Sequence, residues 1–166
     1  MAVLKLTTGV DNKILRTVSA PVKKIDKTIK KLVADMIDTV MDCDGLGIAA
    51  PQVGVNLRMY IARLNHATPN EMWVPMLNAE FQSRSVETHS AEEGCLSIPG
   101  KFGIVERAAS VTIRYMDMKG KFHVLHLGGL NAKIMQHEMD HLNGTLIADK
   151  WHEVHEETFK KARAKK

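Results

Sequence analysis

The chain has 166 residues, 45% of them hydrophobic and 25% charged, enough for one sizeable buried core and a poor fit to a fibre or a disordered tail. Its formal charge of +4 comes from the end: Lys160, Lys161, Arg163, Lys165 and Lys166 lie there without an acid, and 18 cations stand against 19 acids before them, so a DNA-binding body is not expected. Two cysteines make no disulfide framework, Met1-Ala2-Val3-Leu4-Lys5 lacks a signal peptide's apolar stretch, and no apolar run approaches the roughly 20 residues that cross a bilayer.

From Asp26, a helix N-cap, the apolar residues Ile29, Leu32, Val33, Met36, Ile37, Val40 and Met41 recur at helical spacing. This predicts an amphipathic helix that stops near Asp44-Gly45, with Lys27, Lys30 and Lys31 on its solvated face. Cys43 continues the 36/40 stripe and reads as a small buried hydrophobe. From 57 to 127 the period moves towards two. Residues 58–62 and 72–77 read as strands, and 65–70, with Pro69, as a surface loop. Val111, Ile113 and Tyr115, then Phe122, Val124 and His126, alternate with other residues on either side of Lys119-Gly120, predicting a β-hairpin.

A second helix is expected over 130–143, ended by Gly144. It carries two stripes, one of Met135, Met139 and Leu142 and one of Leu130, Ile134, His137 and His141. Both need cover, so the helix should be central with strands around it. Beyond Trp151 a third helix is expected, with Glu156/Lys160 and Glu157/Lys161 at i, i+4 spacing. Residues 1–150 therefore read as a single α+β domain of antiparallel strands packed around a central helix, and 151–166 as a short basic C-terminal helix or tail.

The central helix contains His137-Glu138-Met139-Asp140-His141, an H-E-x-x-H pattern. Four-residue spacing sets both imidazoles on one face, a turn apart, where one metal ion can take both, with Glu138 beside the open coordination position. The bland alternative is a pair of satisfied histidines on a buried helix. A catalytic site needs a third ligand, and the other six histidines have no helical spacing that joins this pair. Cys95, in Glu93-Gly94-Cys95-Leu96-Ser97-Ile98-Pro99-Gly100, is the better candidate: a thiol in what reads as a loop, beside a glycine that permits close approach. A third segment, Gly45-Leu46-Gly47-Ile48-Ala49-Ala50-Pro51-Gln52-Val53-Gly54, is either a bare backbone edge for an extended peptide or a tight helix-to-strand turn. In the first reading Gln52 aims its amide N–H₂ at developing negative charge.

In that order, Gly45-Leu46-Gly47-Ile48-Ala49-Ala50-Pro51-Gln52, Glu93-Gly94-Cys95-Leu96-Ser97 and Gln136-His137-Glu138-Met139-Asp140-His141 resemble the three signatures of the peptide deformylase family. A looser likeness runs from Ile14-Leu15-Arg16 to Asp149 and includes Arg107. The resemblance implies a metal-dependent hydrolase that removes the formyl group from the N-terminal formylmethionine of nascent polypeptides, releasing formate. It implies Cys95, His137 and His141 as metal ligands, Glu138 as general acid/base, and Gln52 with the Leu96 N–H as the oxyanion site. It also implies one divalent ion, Fe²⁺ in the cell with Zn²⁺, Ni²⁺ or Co²⁺ tolerated. The peptide would lie against Leu46, Gly47 and Ile48, with its methionine near Leu130, Ile134 and His137. Lys133 and Ala91 depart from the bulkier or aliphatic residues of many relatives, and Val10 and Ala79 stand where prolines are common. The expectation is a cytoplasmic monomer, with an organelle or an infected bacterium as compatible settings, whose basic tail contacts the ribosome. An H-E-x-x-H endopeptidase would need His152 or His155 to fold back, and a structural zinc module would need a fourth protein ligand, Cys43 being the only other thiol.

Overall fold

A computed structural model of the protein describes residues 2–156. The cationic tail and the partners of its expected i, i+4 pairs, Lys160 and Lys161, lie outside them.

Helix α1, Lys27–Asp42, starts where Asp26 accepts hydrogen bonds from the N–H groups of Thr28 and Ile29, and it buries Ile29, Val33, Met36 and Val40. Eight strands follow the order β1 Gly47–Ala49, β2 Met59–Leu64, β3 Met72–Arg84, β4 Thr88–Cys95, β5 Ile98–Ala108, β6 Ser110–Met116, β7 Phe122–Gly128 and β8 Val154–Glu156, with helix α2, Gly129–Leu142, between the last two. They form a five-stranded sheet, β1-β2-β3-β6-β7, and a three-stranded sheet, β4-β5-β8, every neighbouring pair antiparallel.

The period of two in β2 divides the core. Tyr60 and Ala62 pack with Met135, Met139 and Leu142 of α2, while Met59 and Ile61 pack with Val33, Met36 and Val40 of α1. The larger sheet is thus covered by a helix on each face. Burial of each such side chain contributes about 1.5–3 kcal/mol, so the two faces fix the sheet between the helices. A third cluster joins Cys95, Ile98 and Val105 of the smaller sheet to Leu15, Leu146 and Ile147. The α+β class and the strand-flanked central helix are as expected. Gly144 ends α2 with φ +71°, and a Cβ there would meet the Arg16 carbonyl oxygen at 2.5 Å.

Four expectations change. Cys43 caps α1 at φ −84° and ψ 0°, off the helical stripe, so it is only half-buried and lines the main cavity. In β7 the alternation has the opposite phase: Leu125 and Leu127 pack on the core under α2, and Phe122 and Val124 are exposed on the other face, which α1 covers at β1 and β2. The Cys95 segment is no loop, since Leu96 and Ser97 make a tight turn between β4 and β5. Instead of helix, Val154–Glu156 is strand β8, its backbone paired with Lys101, Phe102 and Gly103 of β5. The smaller sheet's unpaired edge outweighed the local helical pattern there.

Candidate metal centre

The centre forms where α2 faces the end of the smaller sheet. His137 and His141 project from consecutive turns of α2, their ring centroids 5.1 Å apart. The β4–β5 turn brings Cys95 to them, with its Sγ 3.2 Å from His141 Nε2. One ligand atom from each of Cys95, His137 and His141 lies within 4.8 Å of the other two, and no other such cluster of three occurs among the described residues. Among the described residues no fourth protein ligand joins them, as a closed structural zinc site would require.

The donor set suits a divalent transition metal: one soft thiolate and two imidazoles. Burial pushes the Cys95 thiol up, but the two imidazoles, His141 foremost, outweigh it and hold the thiol well below its ordinary value. Two buried polar atoms, Glu138 Oε2 and His141 Nδ1, have no hydrogen-bond partner in the protein. A carboxylate oxygen left so is costly unless the site takes a cation or water, and that supports the fit.

Glu138 is buried, and burial raises its carboxyl to about 7 against the pull of both histidines. It sits against β1: a Cβ on Gly47 would be 2.5 Å from Glu138 Oε1. Gln52, in the 3-10 turn Ala50–Val53 that follows β1, accepts a hydrogen bond from the Ala49 N–H at 2.8 Å through its side-chain oxygen. Its amide nitrogen is thereby turned to Cys95 Sγ, at 3.7 Å, and Ser97 Oγ, at 3.3 Å.

Behind these groups lies a charge network in which Glu93 and Asp140 have roles the sequence reading did not give them. Arg107 donates to both Glu93 oxygens at 2.9 Å and to Asp140 at 2.5 Å, and Lys150 binds the other oxygen of Asp140 at 2.7 Å. Glu93 Oε2 is also 2.9 Å from His137 Nδ1, which fixes the ring and leaves Nε2 for the centre. Burial alone would raise the Glu93 carboxyl, yet Arg107 and His137 hold it at about 2. Glu93 and Cys95 are two apart on β4 and both buried, a relation that the loop reading of this segment concealed.

A cavity of about 590 Å³ opens beside the centre, lined by Leu46, Gly47, Gln52, Cys95, Leu96, Leu130, Ile134, His137 and Glu138. Of the expected peptide contacts only Ile48 does not line it, because its side chain is fully buried in the core.

Residues 4–157 match the profile of the family described as polypeptide deformylase. The chain belongs to the peptide deformylase family. It is similar to the peptide deformylase of Thermotoga neapolitana, 41% identical over 137 residues that span 82% of this chain and 80% of the relative. The relative from Mesorhizobium japonicum is 44% identical over 138 residues, 82% of this chain and 77% of that one. Among solved structures, that of the Thermotoga maritima peptide deformylase aligns with a TM-score of 0.86 and 35% identity over 92% of this chain and 100% of its own. A Met-Ala-Ser-bound peptide deformylase from Acinetobacter baumannii aligns with a TM-score of 0.82 and 36% identity, covering 90% and 98%. As a peptide deformylase, the chain is a hydrolase that removes the N-formyl group from nascent peptides, with a metal ion for which Cys95, His137 and His141 are the ligand candidates. No helix among the described residues is long and apolar enough to cross a membrane.

Proposed function

We propose that Cys95, His137 and His141 hold one divalent ion, Fe²⁺ in the cell, and that Glu138 moves the protons of deformylation. The observation that carries this reading is the three-ligand cluster with Glu138 and Gln52 on the wall of the same cavity. When bound, such an ion polarises a carbonyl and lowers the pKa of water. Glu138, a buried carboxyl on the cavity wall beside the three ligands, takes a proton from the attacking water and gives it to the departing amine. The Gln52 N–H₂ and the Leu96 N–H donate to the oxygen on which charge develops. Formate and a free α-amino group result.

The methionine side chain lies among Leu46, Leu130, Ile134 and His137, and the peptide backbone runs along Gly47 and Ile48 of β1. Formyl is preferred over acetyl because its carbon bears only hydrogen. Formate release from formyl-Met-, acetyl-Met- and formyl-Glu-tripeptides tests this: the first should dominate kcat/KM, and equal rates for all three would overturn the pocket assignment. With Fe²⁺, activity should decay in air through oxidation of iron and then of Cys95, and Ni²⁺ should slow the loss.

Residues 1–150 act in this reading as one catalytic domain, tied to the basic segment after it through β8. That segment contacts the ribosome in the cytoplasm as nascent chains emerge, and the enzyme works as a monomer. Removing residues 159–166 should weaken ribosome co-sedimentation at low salt and leave hydrolysis of a free tripeptide unchanged. Equal co-sedimentation would reduce the tail to a solvated end.

A further inference from the structure

We propose that Lys133 makes this cleft select peptides bearing a carboxylate downstream of the methionine. The inference rests on reading the cavity as the peptide site and adds a preference which that reading leaves open. Lys133 shares the cavity-facing stripe of α2 with Leu130, Ile134 and His137, and it lines the cavity with them. It is a cation flanked in that row by the apolar Leu130 and Ile134.

Its Nζ donates to the Glu92 main-chain oxygen on β4 at 2.8 Å, so the side chain spans from α2 to β4 beside the cavity. That acceptor is neutral and takes one of three ammonium protons, which leaves two for another acceptor. Among the described residues no carboxylate oxygen forms a salt bridge with Lys133. The charge is therefore held in place without being neutralised.

Distance sets which substrate residue meets it. Leu130 and Ile134 of the same row flank the methionine, but the Lys133 ammonium is carried off that row to Glu92, three residues of β4, about 10 Å, from Cys95. An extended peptide advances about 3.3 Å per residue, so a substrate reaching away from the centre brings its second or third residue to that depth. A cavity of about 590 Å³ has room for a first side chain and the peptide units after it. The carboxylate can come from an acidic side chain or from the C-terminus of a short peptide. Glu92 also lines the cavity and is the resident competitor for the ammonium, which limits the preference and gives a second handle on it.

The test compares kcat/KM for formyl-Met-Ala-Ser-amide, formyl-Met-Glu-Ser-amide, formyl-Met-Ala-Glu-amide and formyl-Met-Ala-Ser free acid, in the metal-loaded full-length enzyme and its K133M, K133R and E92Q variants. The wild type should favour at least one carboxylate-bearing peptide over the neutral amide by roughly two- to fivefold, chiefly through KM, as expected for an exposed ion pair. About 0.5 M salt should erase the difference. In K133M the ratio should fall to near one, K133R should keep it, and E92Q should raise it. A preference for the side-chain acids over the free acid identifies the side chain as the source, and the reverse identifies the terminus. An acidic-to-neutral ratio that is the same in K133M and wild type, or a wild-type ratio of one at low salt, would overturn the proposal. Failure of the underlying peptide-site reading would look different: the neutral amide itself would not be hydrolysed.

Discussion

Glu138 and Gly47 are fitted to one another. The carboxylate reaches its position only because β1 carries no side chain there, a Cβ being placed 2.5 Å from Glu138 Oε1. Gly47→Ala should therefore move the carboxylate and leave Cys95 and both histidines in place. Since misplacing a catalytic group by about 1 Å can cost about 10²-fold, kcat should fall by that order with metal content unchanged. A wild-type kcat measured on the metal-loaded variant would refute this packing argument. At the same scale, the sequence showed which side chains gather at the centre, because H-E-x-x-H spacing and a thiol state their own chemistry. It did not show how Gln52 is turned, since that depends on the Ala49 N–H across a 3-10 turn.

The β4–β5 hairpin and α2 meet as elements through Arg107, which lies buried between Glu93 and Asp140. One strand thus supplies the clamp that holds another strand's carboxylate against His137. Replacing Arg107 by Met leaves Glu93 with only His137 and Asp140 with only Lys150, and breaking a buried pair costs about 3–5 kcal/mol. The Tm should drop by roughly 10 °C in a thermal melt. A shift below about 2 °C would mean the network carries little of the hairpin's attachment. The helices were legible from their caps and periodicity, and so was the β6–β7 hairpin, although not the phase of β7. Strands β4 and β5 were hidden because β4 is mostly exposed and polar, so no apolar alternation marks it. Strand β8 was hidden by a helical charge pattern that yielded to pairing with β5.

The whole molecule is closed by its first twenty-six residues, for which sequence periodicity offered no reading. Residues 2–26 run as a strap without helix or named strand: the Thr7 N–H donates to the Gln52 carbonyl, the Gly9 N–H to the Ser97 carbonyl and the Ser19 N–H to the Leu142 carbonyl, while Arg16 binds Asp149 at 2.5 Å. Each anchor is long-range, so none leaves a local pattern to read. Two of these contacts hold the segments that carry Gln52 and Cys95, and the centre depends on the full fold for its geometry. The claim on which function rests is that this fold builds one metal site from Cys95, His137 and His141, with Glu138 beside it for chemistry. Metal content and kcat measured on the same preparations of wild type, Cys95→Ala and Glu138→Gln test it. One ion per chain is expected in wild type, little in Cys95→Ala, and one in Glu138→Gln with kcat lower by at least about 10²-fold. Full metal retention in Cys95→Ala, or near-wild-type turnover in Glu138→Gln, would contradict it.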